Sequence, residues 1–302
     1  MPNKWWPLAM VISVAVATTA CSNDNSTTLG EQNGQGGGGG LVINVGGGAG
    51  SSVSSGGGTA GTSGSLSNQL VINIRDFKFY SARDSTTVPD FENPPPQSSI
   101  TSGSNWDDLE IVADQLDADH KPVYKKGDSG NTLTTHGKAD FDKWFRTISG
   151  TNILQAIPLT LTQNANGSYG YDSRTAGPLS PGGAGFFPID DGSQYQTAFG
   201  NQGKNHNFSF TGEIHTTFVY KGGEVFSFSG DDDVFVFIDN KLVINLGGIH
   251  VREEKSVQID TLGLTKGNSY PLDFFYAERH VTQSNMLITT TLDLVVVDIP
   301  IN

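Results

Sequence analysis

The sequence is poor in cysteine and in positive charge. It has one cysteine, Cys21, in 302 residues, so no disulfide can form within the chain. It has 18 lysine and arginine residues against 31 aspartate and glutamate residues, which gives a net charge of -13. Because proteins that bind nucleic acid usually present a basic face to the phosphates, this balance argues against a nucleic-acid partner.

The apolar run near the start is too short to cross a bilayer, which takes about 20 residues. This run, Leu8–Ala17, follows Lys4 and precedes the small residues at positions 18–20. A positive start, a short apolar run and small residues are typical of a cleaved secretory signal. We therefore predict a signal peptide over residues 1–20.

Cys21 stands directly after this segment, and an unpaired cysteine in an exported chain calls for an explanation. Its position resembles that of the lipid-modified cysteine of bacterial lipoproteins, although Thr18 stands where such signals usually carry leucine. The pattern predicts an exported protein at the outer membrane or cell surface, touching the membrane only through a lipid on Cys21. Ordinary cleavage nearby, without lipid, is the alternative.

Residues 21–69 are low in complexity and include the unbroken glycine run Gly36–Gly40. Such a segment cannot bury enough apolar area to offset the entropy of ordering it. The sequence therefore predicts a flexible Gly/Ser-rich tether over residues 21–69, followed by one folded domain over residues 70–302.

Short apolar or alternating runs closed by turn residues predict β-strands through this domain. The first, Leu70–Ile74, is expected to continue as Phe77–Tyr80 after a bulge at Arg75–Asp76, where the apolar parity switches. Val234–Ile238 is wholly apolar, which predicts burial on both faces, and a turn is expected at Asp239–Asn240. Further strands are expected at Ile214–Tyr220, Val225–Ser229, Leu242–Leu246, Val257–Ile259, Leu272–Tyr276 and Met286–Val297.

Only one segment has the apolar spacing of a helix, Ala139–Ile148. Ser81–Ser104 and Gln163–Gly185 are rich in small and polar residues and are expected to be surface loops. The predicted fold class is all-β, a β-sandwich with long loop insertions and one short helix.

Asp231, Asp232 and Asp233 form the most informative chemical motif. Three consecutive carboxylates between two strands repel each other strongly near an apolar core. A hard cation with oxygen ligands relieves that repulsion, and Ca²⁺ is the natural candidate. A solvated acidic turn without metal is the alternative.

Longer motifs give a family resemblance. Phe228–Ile244, which contains the three aspartates, resembles the signature strand pair of PA14-type domains. Together with Asp273–His280 and Ile74–Tyr80, it is similar to the fibro-slime branch of the PA14-like superfamily. The resemblance runs from about Leu70 to Leu294. It implies a PA14-like β-sandwich or barrel used for carbohydrate recognition and adhesion.

The resemblance also implies a site. In lectins of this superfamily an Asp-Asp pair before the buried strand holds Ca²⁺, and sugar hydroxyls complete the coordination. Asp231 and Asp232 fall on that pair, Asp233 replaces the small residue that usually follows, and Asn285 matches an asparagine from a later loop. The implied carbohydrate site is Asp231, Asp232 and Asn285, with Asp231, Asp232 and Asp233 as calcium ligands.

Other polar residues have plainer interpretations. His215, His250 and His280 lack the spacing of a zinc site. Trp144 is expected in the core rather than on a sugar-binding surface. Glu278–His280 closes an apolar strand and is expected to supply an ion pair at its end.

The sequence thus predicts a cell-surface adhesion or matrix protein, not an enzyme, that binds an extracellular glycan or polysaccharide matrix through a Ca²⁺-assisted acidic loop. Gly-x-Ser-x-Gly, His-Glu-x-x-His and phosphate-binding glycine motifs are absent. One alternative is a structural surface or slime component without a ligand. Another is a glycoside hydrolase with paired carboxylates, such as Glu278 and an aspartate.

Overall fold

The computed structural model describes residues 69–78, 88–91, 106–195 and 197–296. The predicted signal peptide, lipidated Cys21 and nearly all of the predicted tether therefore lie outside the described residues. Among the described residues no helix is both long and apolar enough to cross a bilayer.

Strands are the main regular structure of the described chain, which has a single α-helix, α1 (Lys138–Phe141), and short 3-10 turns. The strands in chain order are β1 (Gln69–Phe77), β2 (Trp106–Asp107), β3 (Val112–Leu116), β4 (Pro122–Tyr124), β5 (Asn152–Thr160), β6 (Thr162–Gln163), β7 (Tyr169–Asp172), β8 (Phe210–Val219), β9 (Val225–Gly230), β10 (Asp233–Ile238), β11 (Lys241–Leu246), β12 (Gly248–Ile249), β13 (Glu253–Gln258), β14 (Ser269–Glu278), β15 (Met286–Thr290) and β16 (Leu294–Val296).

The described strands form two main antiparallel sheets, neither of which closes into a barrel. The large sheet has the order β11–β10–β14–β8–β1–β5, with β16 also paired to β8. The small sheet has the order β13–β9–β15–β7–β6. Two short pairs, β2 with β12 and β3 with β4, lie outside them. The predicted all-β fold is confirmed, as an open sandwich.

The main core lies between the two sheets. The large sheet contributes side chains such as Ile74, Val236 and Phe274, and the small sheet contributes Phe228 and Ile288. The Phe228 and Phe274 ring centroids are 5.6 Å apart. Because each fully buried apolar side chain stabilises the fold by about 1.5–3 kcal/mol, this contact between the inner faces holds the sandwich together.

A second core covers the opposite face of the large sheet. There Phe235 and Phe237 pack with Trp144 and other residues of the segment 88–145. Trp144 is fully buried, which confirms its predicted core position. β10 is therefore buried on both faces, as its apolar sequence predicts. The hairpin after it turns at Asp239–Asn240, whose φ angles of 51° and 58° are those of a tight β-hairpin turn.

The predicted bulge at Arg75–Asp76 is wrong. β1 pairs residue for residue with β5 from Gln69 to Phe77 without a shift of register. Both Arg75 and Asp76 are buried. The alternation of apolar residues along β1 breaks down because both faces of this strand are covered. Polar side chains that have buried partners therefore occupy positions that a simple alternation would assign to solvent.

The predicted helix over Ala139–Ile148 is shorter than expected, since α1 ends at Phe141. The side chain of Asn152 supplies the physical reason. Its Nδ2 donates to the carbonyl oxygens of Lys143 at 3.3 Å and Arg146 at 2.9 Å, and its Oδ1 accepts from the N–H of Ile148 at 3.1 Å. A helix continuing to Ile148 would pair the Ile148 N–H and the Lys143 carbonyl internally, whereas here the Asn152 side chain binds both of them outside a helix.

Both predicted loop regions contain ordered parts of the sandwich. Within Ser81–Ser104 the described residues 88–91 include Val88 and Phe91, which are fully buried in the second core. Within Gln163–Gly185, β7 pairs with β15 in the small sheet. The predicted long strand Met286–Val297 is two strands, β15 in the small sheet and β16 in the large one.

Candidate functional site

The acidic loop, Asp231 to Asp233, lies where the chain crosses from the small sheet to the large sheet. β9 ends at Gly230 and β10 begins at Asp233, so Asp231 and Asp232 alone span the crossing. The three aspartates are only 2 %, 4 % and 0 % exposed, which rules out a solvated acidic turn. Asp232 has a φ of 48°, a left-handed conformation that costs a non-glycine residue on the order of 1 kcal/mol or more.

Asp233 points into the second core and meets the guanidinium of Arg279, which is also fully buried. Arg279 Nε donates to Asp233 Oδ2, and Nη2 lies 3.2 Å from Oδ1. The N–H of Gly248 donates to the same Oδ1 at 2.8 Å. Arg279 also donates to the carbonyl and the hydroxyl of Thr134, each at 2.8 Å, and lies 5.1 Å from the centre of the Trp144 ring.

This pair involves Asp233, one of the three predicted calcium ligands. The Arg279 guanidinium neutralises Asp233, whereas among the described residues no lysine or arginine side chain forms a salt bridge with Asp231 or Asp232, which stay candidate ligands. Burial alone would lower the pKa of Arg279, but the carboxylates of Asp233 and Asp232 outweigh it and raise the pKa above its ordinary value. The ion pair expected at Glu278–His280 is thus found at Arg279.

Asp231 and Asn285, two of the three predicted sugar-binding residues, lie side by side. Asn285 Nδ2 donates to Asp231 Oδ2 at 2.7 Å, and the backbone N–H of Asn285 donates to Oδ1. Burial raises the pKa of Asp231, and the hydrogen bonds from Asn285 oppose that rise. Asn285 therefore fixes the Asp231 carboxylate at the start of β15.

A further carboxylate, Glu278 at the end of β14, faces the main core and has no exposed surface. Its Oε2 accepts a hydrogen bond from the Tyr276 hydroxyl at 2.9 Å, whereas Oε1 has no hydrogen-bond partner among the described residues. Burial raises the pKa of Glu278 well above its ordinary range, and the carboxylates of Asp232 and Asp231 add to the rise. Burial also raises the pKa of Asp232 well above its ordinary range.

These side chains offer the donor chemistry that Ca²⁺ prefers. Asp231, Asp232 and Glu278 supply carboxylate oxygens, Asn285 carries an amide oxygen, and hard cations bind oxygen ligands. A buried polar atom without a hydrogen-bond partner, such as Glu278 Oε1 among the described residues, is uncommon in folded proteins, and a bound cation would supply the missing partner. Yet within the part of the chain that the structure describes, no three or more histidine, cysteine, aspartate or glutamate side chains are already arranged to hold a metal ion.

The histidines serve separate purposes. His215 Nδ1 lies 2.6 Å from Asp273 Oδ1, in the large sheet. His250 and His280 hydrogen-bond backbone carbonyl oxygens. The ring of His280 packs edge-on against Trp106, with centroids 6.3 Å apart. Trp106 is half-buried in this contact.

Two residues behind the acidic loop escaped the sequence reasoning. Asp108 Oδ2 accepts hydrogen bonds from the N–H and the hydroxyl of Thr134 at 2.8 Å and 2.9 Å, which holds Thr134 in place for Arg279. Thr134 lies 26 residues from Asp108 and 145 residues from Arg279. No local pattern marks contacts of that separation.

Known families match the same region of the chain. The model of the PA14 domain family matches residues 184–300, a range that contains the acidic loop, Glu278 and Asn285. The chain carries a PA14-like domain. PA14 domains are found in adhesins and carbohydrate-binding proteins.

Individual relatives extend the match beyond that range. Protein psiD of Dictyostelium discoideum is 41% identical over 217 residues, covering 70% of this chain and 40% of the relative. Protein psiC of the same organism is 38% identical over 219 residues, covering 70% and 39%. The chain thus spans about two fifths of the length of these curated relatives. Among solved structures, the PA14 domain of the MpAFP antifreeze protein aligns with 7% identity and a TM-score of 0.23, covering 33% of this chain and 60% of that chain.

Proposed function

We propose that this protein is a cell-surface adhesion or matrix protein whose acidic loop binds an extracellular carbohydrate with the help of Ca²⁺. The observation that carries the proposal is the pair of buried carboxylates, Asp231 and Asp232, at the crossing between the two sheets, with the half-buried Asn285 hydrogen-bonded to Asp231. Uncompensated carboxylates of this kind are costly in a core unless a cation or protons neutralise them.

In this proposal Asp231, Asp232 and Asn285 hold the ion, and Glu278 adds negative charge behind them. Calcium supplies a positive charge and open coordination positions for sugar hydroxyls. Because the described protein side chains do not form a closed set of ligands by themselves, the sugar hydroxyls complete the coordination. Asn285 also keeps Asp231 in place, so it serves the site even before sugar binds.

The proposed activity is binding without cleavage. Glycoside hydrolysis needs a carboxylic acid and a second carboxylate on either side of the scissile bond. Glu278, the predicted candidate acid, is fully buried against Tyr276 and presents no surface to a substrate. This burial favours a structural or electrostatic role for Glu278 over a catalytic one.

Export and lipid anchoring through Cys21 remain part of the proposal, supported by the sequence pattern alone. Metabolic labelling with a clickable fatty acid tests the anchor, and we expect label on the wild-type protein and none on Cys21→Ala. Label that persists in the variant, or a mature protein that begins elsewhere, would show that Cys21 is not the anchor.

A glycan array probed in calcium and in chelator tests the binding function. We expect a set of glycans that bind in calcium, that are lost in EGTA, and that are also lost in Asp232→Asn. Asp119→Asn, at an exposed turn far along the chain, is the matched control and should bind as the wild type does. Absence of calcium-dependent binding would favour a structural surface component, and shortening of a bound glycan would favour the hydrolase.

A further inference from the structure

A cleft of about 610 Å³ lies at the β7–β6 edge of the small sheet, and its lining includes none of Asp231, Asp232, Asp233 and Asn285. It is bounded by the end of β5, by β6, β7 and β15, and by residues 175–180 and 194–195. Its volume is within the range of about 300–1,000 Å³ that is typical of small-molecule sites.

Strand alternation builds one wall of this cleft. Pro158, Thr160, Thr162 and Asn164 are exposed and line it, whereas Leu159 and Leu161 between the first three are buried. Because alternate residues of an extended chain point to the same side, these four side chains form one row. The row presents two hydroxyls and one amide to the cleft.

The floor is open because position 170 has no side chain. A Cβ on Gly170 would lie 3.4 Å from Asn164 Nδ2, 3.8 Å from Thr289 Oγ1 and 3.0 Å from the carbonyl oxygen of Ile288. Gly170 is not among the residues with positive φ, so the backbone does not require glycine here. The missing side chain instead leaves the space between Asn164 and Thr289 free for a ligand.

Hydrogen bonds within the protein fix several lining groups. Asn164 Nδ2 donates to Ser168 Oγ at 2.9 Å. The hydroxyl of Tyr171 is hydrogen-bonded to Ser180, and burial raises the pKa of Tyr171 to about 12, so the phenol is neutral. Gly177 and Ser180 exchange backbone hydrogen bonds of 3.1 Å and 3.0 Å, which closes the loop that forms the other wall. The cleft is therefore largely preorganised.

The lining is nearly free of charge, although the whole chain is acidic. Among the described lining residues Asp172 alone is charged, and Arg174 binds that carboxylate through Nε at 2.8 Å and Nη2 at 2.6 Å. None of these described residues is a lysine or arginine, which disfavours phosphates and other anions. The remaining surface combines hydroxyls and amides with the apolar edges of Tyr195 and Leu287. Saccharides present the same combination, hydroxyls beside apolar C–H faces.

From this lining we propose that the cleft binds a neutral oligosaccharide without a metal ion, at a second site separate from the acidic loop. The row of Thr160, Thr162 and Asn164 hydrogen-bonds the sugar hydroxyls, and Tyr195 offers an aromatic surface to the ring. The inference does not require calcium binding at Asp231 and Asp232.

Titration with neutral saccharides in the presence of EDTA tests the proposal. The probes are lactose, maltotetraose, cellotetraose, xylotetraose and mannotetraose, followed by saturation-transfer NMR and calorimetry. We expect at least one of them to bind equally with EDTA and with calcium, both to the wild type and to Asp232→Asn. Thr162→Trp, which places a large side chain over the row, should weaken this binding at least tenfold.

Gln258→Trp is the matched control, because Gln258 is exposed on β13, the opposite edge strand of the same sheet, and should leave binding unchanged. Asn164→Ala gives a milder second test if Thr162→Trp does not fold. Absence of binding by every probe in EDTA would overturn the proposal, as would undiminished binding by both cleft variants. Binding that needs calcium and is lost in Asp232→Asn would place the sugar at the acidic loop and not in the cleft.

Discussion

Asp233 and Arg279 form a fully buried ion pair between the start of β10 and the end of β14, and the neighbouring Asp232 carboxylate accepts a hydrogen bond from the backbone N–H of Arg279 at 3.3 Å. Glu278, one residue before Arg279 on β14, points the other way, into the main core beside Tyr276. On the second-core side the charges are matched. On the main-core side burial and the carboxylates of Asp232 and Asp231 raise the pKa of Glu278, an arrangement that a bound cation would stabilise.

The first prediction concerns this pair. Arg279→Met leaves Asp233 buried without a counter-ion, so we expect the free energy of unfolding to fall by about 3–5 kcal/mol. Arg174→Met removes an exposed ion pair with Asp172 and should change stability by less than about 1 kcal/mol. Urea denaturation of both variants and the wild type measures the difference. Equal, small effects would mean that the buried pair is not an anchor of the acidic loop.

The second prediction concerns pH and Glu213, a fully buried carboxylate on β8. Lys121 Nζ lies 2.7 Å from its Oε2, Arg75 Nη1 lies 3.0 Å from its Oε1, and His215 Nε2 lies 3.7 Å from its Oε2. Burial alone would raise the pKa of Glu213, but the nearby His215 ring and the two cations outweigh it and lower the pKa to about 2. Asp273, which hydrogen-bonds His215, is the other carboxylate of this network.

A carboxylate whose pKa is lower in the folded state stabilises the fold above its unfolded pKa and loses that effect as the pH falls. The window here runs from 4.5, the ordinary value, down to about 2. Across this window we expect the free energy of unfolding of the wild type, measured by urea denaturation at each pH, to fall by about 3 kcal/mol more than that of Glu213→Gln. Glu254→Gln, at an exposed position of β13, should follow the wild type. The prediction would be contradicted if the free energies of unfolding of the wild type and Glu213→Gln fell in parallel as the pH is lowered.

Local sequence patterns correctly predicted the strands in which the burial of each face agrees with the polarity of the side chains on it. β10 is wholly apolar, and both its faces are buried, so pattern and burial agree. β1 misled the prediction because Arg75 occupies a buried position that is tolerated only beside Glu213, whose position is far along the chain. β7 went unseen among small and polar residues because its pairing with β15 comes from the sheet and not from its own side chains.

Some residues of the candidate site could likewise be predicted from the sequence, and others could not. Asp231, Asp232 and Asn285 could be found from the sequence because they match positions in a long motif, and the structure brings Asp231 and Asn285 together. The role of Asp233 could not be found, because its partner is 46 residues away and nothing beside Asp233 indicates an arginine. The motif therefore locates the site, whereas pairing across strands decides which of its carboxylates are free.

The third prediction concerns the domain boundary. β1 begins at Gln69 and lies between β5 and β8 inside the large sheet. A chain of residues 67–302 keeps the whole strand, and we expect it to unfold cooperatively at nearly the temperature of residues 21–302. A chain of residues 75–302 lacks most of β1 and should not fold. A much lower melting temperature for residues 67–302 would show that the stable domain begins earlier.

The fourth prediction carries most of the proposed function. If Asp231 and Asp232 hold Ca²⁺, the ion binds the folded state and stabilises it by mass action, by about 2.7 kcal/mol at a hundredfold excess over the dissociation constant. Calcium should then raise the melting temperature of the wild type by several degrees relative to EGTA. Asp119→Asn should keep this response, whereas Asp232→Asn should lose it.

Asp232→Asn is also expected to affect stability in the absence of calcium, and there it should not destabilise the protein. The variant is therefore informative in EGTA as well. Burial raises the pKa of Asp232, and the carboxylates of Asp233 and Asp231 add to the rise, so a neutral replacement removes the cost of burying this charge and should leave the protein in EGTA as stable as the wild type or slightly more so. A variant that is stable in EGTA but indifferent to calcium therefore identifies loss of a ligand and not loss of the fold. Identical melting temperatures of the wild type in calcium and in EGTA would show that the acidic loop does not bind calcium. The calcium-assisted mechanism of sugar binding would then also be wrong.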